Sequence, residues 1–226
     1  MTVCHHLNDA TLMRFASGDL DEAFSVVVAS HISICQHCRE NLLTAEEIGG
    51  QILQDADQIE LSPDAFEKIL ERLDHPPYEK AETQIPASQK TVDPSENSAA
   101  LPAPLAKVLA RPLEDIPWKL IAPGVRKHDL PLSSETQSSL YMLNISPGKT
   151  VPEHGHGGAE ITLILSGAYR DNLGRFAAGD IADLDEHLEH QPKVEADAPC
   201  ICLVATEAPT KFKGFISQLL QPLTGI

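Results

Sequence analysis

The octapeptide His31-Ile-Ser-Ile-Cys35-Gln-His-Cys38 places three metal-binding side chains at spacings of four and three residues. On a helix, residues three or four positions apart lie on the same face, so these side chains are expected to converge. A tetrahedral Zn²⁺ site takes four ligands, and His and Cys are the usual ones. The fourth ligand has to come from elsewhere, and His5 and His6 are the candidates upstream. The stretch therefore predicts a zinc site within a helical domain.

The first third of the chain has the apolar periodicity of short helices. Asn8 provides a cap for the first helix, and Asp19 or Asp21 can cap the second. A third pattern begins at Cys35, and the Ser-Pro-Asp sequence at 62–64 is typical of the start of a fourth helix. Such helices build only a small core, whereas a structural zinc site supplies on the order of 10–16 kcal/mol of apparent binding energy. We therefore expect metal loss to unfold or rearrange this region.

Residues 76–104 differ in composition from the segments on either side. They contain many Pro, Glu, Gln, Ser and Lys residues and show no apolar period. A segment of this kind buries little surface and is typical of a flexible linker. We therefore predict three parts: a helical zinc-binding domain at 1–75, a flexible Pro-rich linker at 76–104, and a second domain at 105–226.

The second domain is predicted to be all-β. Short β-prone runs, such as SLYMLNISPG at 139–148 and EITLILSGAYRD at 160–171, are separated by Gly, Pro, Asn and Asp. Evenly spaced runs of this type favour a β-sandwich or a β-barrel. The predicted fold class is therefore a helical domain followed by an all-β barrel.

A second set of metal-ligating side chains lies within these runs. His154 and His156 are two residues apart and share one side of a strand, and Glu160 begins the next run. His190 follows after a turn and a strand. Three His and one Glu suit Zn²⁺, Mn²⁺, Fe²⁺ or Ni²⁺, and the ligand types alone do not select among these metals. Four protein ligands in a tetrahedron leave no open position, which favours sensing or structure over catalysis.

The charge and cysteine content indicate a class of partner and a compartment. The formal net charge is −16, from 33 acidic and 17 basic residues. Such a chain is expected to repel nucleic acid, and a basic protein partner or simple solubility accounts for the charge. There is no apolar run of about 20 residues and no secretory signal, so neither a membrane span nor export is expected. Five cysteines, two of them in a CxxC, fit metal binding in a reducing cytoplasm.

The segment HHLNDATLMRFASGDLDEAFSVVVASHISICQHC at 5–38 resembles the ChrR-type anti-sigma factors, which carry a zinc-binding anti-sigma domain. This resemblance implies that His6 is the fourth zinc ligand, together with His31, Cys35 and Cys38. It also implies that the helical domain wraps an extracytoplasmic-function sigma factor and hides its polymerase- and promoter-binding surfaces. The protein would then be a transcription regulator without enzyme activity. The signal implied by the family is oxidative or photooxidative, such as singlet oxygen or organic hydroperoxides.

Residues 148–167 match the first cupin motif, Gly-x5-His-x-His-x3-Glu-x6-Gly, position for position. The second motif, Gly-x5-Pro-x-Gly-x2-His, is matched in part, because Gly179 and His190 fit whereas Asp185 and His187 replace the Pro and the Gly. On spacing we expect His190 to be the fourth ligand, with His187 as the alternative. The likeness to ChrR-type proteins extends over nearly the full chain and implies zinc in this sensory site.

Two alternative functions accompany this interpretation, and the role of one cysteine pair is open. A cupin metalloenzyme, dioxygenase-like, with an accessory helical domain predicts turnover of a small substrate and no sigma factor partner. A metal-storage or metal-sensing protein predicts reversible metal exchange. Cys200 and Cys202 share one side of a strand, where they either fill the core, which we favour, or form an oxidisable dithiol.

Overall fold

The computed structural model describes residues 3–74, 101–132, 136, 138–209 and 211–212. The predicted linker lies outside these residues, apart from 101–104. The helices are α1 (Asp9–Ala16), α2 (Glu22–Ile34), α3 (Gln36–Gln54), α4 (Ala65–Asp74) and α5 (Ala103–Leu109), and a 3₁₀ turn spans Leu113–Asp115. No described helix is long and apolar enough to cross a membrane.

The strands follow the helices in the chain, as predicted. They are β1 (Lys119–Ala122), β2 (Val125–Asp129), β3 (Ser139–Ile145), β4 (His154–Gly155), β5 (Glu160–Ser166), β6 (Ala168–Arg170), β7 (Arg175–Ala177), β8 (Ile181–Leu184), β9 (Glu189–His190), β10 (Lys193–Val194), β11 (Cys200–Thr206) and β12 (Lys211–Phe212). They form a six-stranded sheet in the order β1-β2-β3-β11-β5-β8 and two three-stranded sheets in the orders β10-β6-β7 and β12-β4-β9. Their pairings are antiparallel.

Local capping determines where the first two helices begin. The side chain of Asn8 accepts a hydrogen bond from the Thr11 amide at 2.7 Å, which fixes the start of α1. Asp21 accepts one from the Phe24 amide at 3.2 Å, so Asp21 rather than Asp19 caps α2. After α1 the chain reverses at Gly18, whose φ of +75° lies in the left-handed region that favours glycine.

Helix α2 packs against the six-stranded sheet and α5, and together they enclose one apolar core. Its members are almost fully buried and come from both halves of the chain: Phe24, Val27, Val28, Leu105, Met142, Leu163 and Leu203. By packing, the described residues up to Gln51 form one compact unit with those that follow the linker, and a second unit begins at Ile52. The division at 75 and 105 stays a prediction.

Helix α4 belongs to the second unit and carries an apolar stripe. Its apolar side chains recur at spacings of three, one and three residues and are 44–71% exposed: Phe66, Ile69, Leu70 and Leu73. An amphipathic helix with its apolar face in solvent is typical of a binding surface.

Candidate metal centres

The first cluster consists of His6, His31, Cys35 and Cys38, whose ligand atoms all lie within 4.8 Å of one another. Nε2 of His31 is 3.3 Å from Sγ of Cys38, and Nδ1 of His6 is 3.3 Å from Sγ of Cys35 and 3.7 Å from Sγ of Cys38. A tetrahedral zinc ion with bonds of roughly 2.0–2.3 Å separates its ligands by about 3.3–3.8 Å. The donor set and its spacing therefore fit a zinc ion.

The spacing predicts that His31, Cys35 and Cys38 lie on one face of a single helix. The structure instead divides these residues between two helices. Cys35 has an extended backbone and ends α2, so Cys38 lies in the first turn of the next helix. The amide of Cys38 donates to Sγ of Cys35 at 3.5 Å. The break between the helices, rather than helical periodicity, turns the two thiols and His31 toward one point.

The backbone carbonyl of Gly179, between β7 and β8, fixes the tautomer of His31. Nδ1 of His31 donates a hydrogen bond to the Gly179 carbonyl at 3.1 Å, because a carbonyl oxygen only accepts. The lone pair of the neutral ring is then on Nε2, which faces Cys38. Burial lowers the pKa of His31 to about 4 and raises the pKa of Cys38 to about 11. His31 thus stays neutral near pH 7, and the Cys38 thiolate needs a cation nearby.

The segment before α1 lies along β8, which places His6. The amides of Cys4 and His5 donate to Oδ1 of Asp180 at 2.6 and 3.0 Å, and the amide of Asn8 donates to Oδ2 of Asp183 at 3.1 Å. Burial alone would raise the pKa of Asp180, but the hydrogen bonds from backbone amides outweigh it and lower the pKa. Sequence reasoning missed these contacts because they join residues about 175 positions apart.

The neighbouring residues of the first cluster lie outside it. His37 is exposed, although its ring contacts that of His6 with centroids 4.4 Å apart. Cys4 is exposed and is not a member of the cluster. His5 stacks on Phe176 at 4.0 Å instead of joining the cluster.

The second cluster brings together His154, His156 and His190, all of them buried. His154 on β4 is paired directly with His190 on β9. Glu160, the first residue of β5, places Oε2 3.3 Å from Nδ1 of His156. His187, the alternative ligand, has an 83% exposed side chain beside Glu186 and lies outside the cluster.

The protonation of the second cluster fits a bound cation. Nδ1 of His154 donates to the Pro152 carbonyl at 2.8 Å, and Nδ1 of His190 donates to the Asp171 carboxylate at 2.9 Å. A ring with its single proton on Nδ1 has its lone pair on Nε2, and the Nε2 atoms of His154 and His190 face each other at 3.0 Å. Nε2 of His156 is buried without a hydrogen-bond partner among the described residues. A metal ion would satisfy all three nitrogens.

The charge state of these groups follows from their surroundings. Burial lowers the pKa of His154 to about 4, so its ring is neutral near pH 7. Burial alone would raise the pKa of Glu160, but the hydrogen bond from His156 and the electrostatic attraction of the surrounding imidazoles outweigh it and lower the pKa. His154 therefore offers a neutral imidazole and Glu160 a carboxylate, which is the state in which these groups bind divalent metals.

A cavity of about 70 Å³ adjoins the second cluster. Its lining is mostly apolar and includes Tyr141, Tyr169, Cys200 and Cys202, beside His154 and His190 of the cluster and the neighbouring Glu160. Both thiols project to the same side of β11, as the alternation of a strand requires. Burial raises the pKa of Cys200 to about 12 and also raises that of Cys202. Both cysteines are therefore protonated core residues next to the cluster.

The comparisons with known proteins agree with this architecture. The family model for the ChrR cupin-like domain matches residues 107–209. The anti-sigma-E factor ChrR of Cereibacter sphaeroides is 41% identical over 222 residues, covering 98% of both chains. The crystal structure of Rhodobacter sphaeroides SigE in complex with the anti-sigma ChrR contains a chain with a TM-score of 0.73 and 38% identity, covering 91% of this chain and 99% of that one. The predicted fold class, a helical domain followed by a cupin-like β domain, is confirmed, although the described strands form three sheets rather than one closed barrel.

Proposed function

Because the chain belongs to the ChrR family of anti-sigma factors, we propose that it binds and inhibits an extracytoplasmic-function sigma factor. The observation that carries this proposal is the match over 98% of both chains, which includes the helices as well as the β domain. In the relative of known structure, ChrR is in complex with the sigma factor SigE. The function is regulation of transcription in the cytoplasm, without enzyme activity.

The two clusters act as metal centres in this proposal. The first centre holds a structural Zn²⁺ that cross-links the segment before α1 to α2 and α3. Its ligands are His6, His31, Cys35 and Cys38. The second centre is formed by His154, His156, Glu160 and His190, which hold Zn²⁺ or another divalent transition metal such as Mn²⁺, Fe²⁺ or Ni²⁺. Support comes from the distances between ligand atoms and from the lone pairs that face one another.

The sigma factor is attracted by the negative charge of the chain and then packs against the exposed apolar side chains of α4. The net charge of −16 attracts a basic partner over a distance. The exposed apolar side chains of α4, which include Phe66 and Leu73, then lose their contact with water in the complex. The DNA-binding faces of a sigma factor are basic, so binding there also prevents promoter recognition.

The cupin domain releases the sigma factor in response to oxidative or photooxidative stress, such as singlet oxygen. The segment before α1 carries one ligand of the first centre and is bonded to Asp183 of β8 and to Asp180, the residue before that strand. Strand β8 pairs with β5, which begins with Glu160. A rearrangement of the second centre therefore reaches the first centre through two adjacent strands.

The test is co-expression of the full chain with an extracytoplasmic-function sigma factor, followed by co-purification and transcription in vitro. We expect a stable complex and loss of sigma-dependent transcription. Cys35→Ser should lose zinc from the first centre and with it inhibition, whereas the matched control Cys4→Ser should keep both. Tight binding by a metal-free Cys35→Ser protein would show that the zinc is dispensable. Turnover of a small substrate without sigma binding would favour the metalloenzyme.

A further inference from the structure

We propose that Asp171 is a positioning residue of the second centre, which holds His190 in the tautomer that presents Nε2 to the metal. The inference rests on the proposed metal-binding role of the cluster. The sequence motifs do not include Asp171, which lies between β6 and β7 and 19 residues before His190.

Each carboxylate oxygen of Asp171 has its own partners. Oδ2 accepts the hydrogen bond from Nδ1 of His190 at 2.9 Å, and the side chain of Asp171 is 0% exposed. Oδ1 accepts from the amides of Leu173 and Gly174 at 2.8 and 3.1 Å, which caps the turn between β6 and β7. The two amides therefore fix the orientation of the carboxylate relative to the imidazole.

This arrangement determines which nitrogen of His190 can bind a metal. A neutral imidazole carries one N–H, and the buried carboxylate holds it on Nδ1. The lone pair of Nε2 then points toward Nε2 of His154, 3.0 Å away. Carboxylates that accept a hydrogen bond from a ligating His orient the ring and raise its basicity, and losing one costs about 10–100-fold in metal affinity.

The substitution Asp171→Asn tests the tautomer directly. The amide oxygen stays where Oδ1 is, because the amides of Leu173 and Gly174 require an acceptor there. The NH₂ group then faces Nδ1 of His190, so two donors meet unless the His190 proton moves to Nε2. An imidazole protonated on Nε2 cannot bind the metal through that atom. Asp171→Ala removes the acceptor without adding a donor.

Asp185→Asn is a matched control. Oδ1 of Asp185 accepts from the amide of His187, two residues further on, at 2.9 Å, as Oδ1 of Asp171 does from Leu173. Asp185 is exposed and does not bond to His190, whose Nδ1 is taken by Asp171. This variant alters a turn cap of the same type and leaves the cluster intact.

The experiment titrates the metal-free full chain with Co²⁺ and then with Zn²⁺. Thiolate-bound Co²⁺ has a charge-transfer absorption that Co²⁺ bound by His and Glu lacks, so the two centres are read separately. We expect Asp171→Asn and Asp171→Ala to weaken the second centre by about 10–100-fold. The thiolate signal should stay the same in all variants, and Asp185→Asn should bind as the wild type does.

Nitrogen-15 spectra of the imidazole rings, recorded with Zn²⁺ bound at the thiolate centre and the second centre empty, provide a readout that a merely structural role would not move. Wild type should show His190 protonated on Nδ1, and Asp171→Asn should show it protonated on Nε2. An unchanged tautomer, or unchanged affinity of the second centre in both Asp171 variants, would overturn the positioning role while the metal centre stands. A wild type that binds only thiolate-ligated metal would refute the second centre itself, and the positioning role with it.

Discussion

At the scale of single residues, the thiols beside the second cluster are expected to be unreactive in the folded protein. The thiolate is the reactive form of cysteine, and burial raises the pKa of Cys200 to about 12. We predict that iodoacetamide at about pH 8 alkylates the exposed Cys4 and leaves Cys200 and Cys202 unmodified until denaturant is added. Mass spectrometry of tryptic peptides checks this prediction, and rapid alkylation of Cys200 in the native protein would contradict it.

Sequence spacing predicted the candidate metal ligands better than it predicted the groups that hydrogen-bond to them. His154 and His156 lie in one short motif, so strand alternation is enough to place them together. The structure places His190 in the cluster and His187 outside it. The acceptor of the His31 ring is 148 residues away, and no local pattern can show such a partner.

At the scale of secondary-structure elements, Asp180 attaches the segment before α1 to the β domain. Three backbone amides donate to its buried carboxylate, those of Cys4, His5 and Ala177. Hydrogen bonds to a charged group contribute about 1.5–3 kcal/mol, so Asp180→Asn should lower the free energy of unfolding by about that amount. Urea denaturation of the zinc-loaded full chain measures this change, and Asp185→Asn should change it by less than about 0.5 kcal/mol.

The difference in the free energy of unfolding between wild type and Asp180→Asn should depend on pH. The pKa of Asp180 is lowered on folding, so its contribution to stability is present above the ordinary carboxylate pKa of about 3.9 and is lost as the pH falls through the folded-state pKa. The difference between wild type and Asp180→Asn should therefore be full at neutral pH and shrink in acid. A difference that grew in acid would contradict this account.

Helix boundaries were predictable where a single side chain determines them. The caps at Asn8 and Asp21 are local, because each accepts from an amide three residues further on. Helix α3 runs through Gly49 and Gly50 without a break, since an interior glycine costs only about 1 kcal/mol and neighbouring turns can compensate. The packing of α2 on the sheet was not predicted, because an apolar stripe does not specify what covers it.

At the scale of the whole molecule, helices and sheet should unfold together because they share one core. Leu203 on β11 is fully buried in the cluster that also contains Phe24 and Val27 of α2. We predict that Leu203→Ala lowers the free energy of unfolding by about 2–5 kcal/mol, whereas Leu120→Ala at an exposed site changes it by less than about 0.5 kcal/mol. The Co²⁺–thiolate absorption of the first centre and the fluorescence of Trp118 should be lost in coincident transitions. Separate transitions would show two independent cores.

The overall charge predicts the kinetics of sigma factor binding. A chain with a net charge of −16 attracts a basic surface, and salt screens this attraction with a Debye length of about 10 Å at 0.1 M. We expect the association rate to fall steeply between about 0.05 and 0.5 M salt while the dissociation rate changes little. Stopped-flow mixing measures both rates, and an association rate independent of salt would exclude electrostatic steering.

The turn that joins β7 to β8 has a consequence for recombination between relatives. The carbonyl of Gly179 accepts a hydrogen bond from the ring of His31, and the carboxylate of Asp180 accepts from the amides of Cys4 and His5. The first metal cluster is therefore positioned partly by residues that are distant in the sequence. A chimera that grafts these helices onto a foreign cupin would have to carry this turn along. The two ends of the chain are therefore expected to have been inherited together, as one unit of exchange rather than as interchangeable modules.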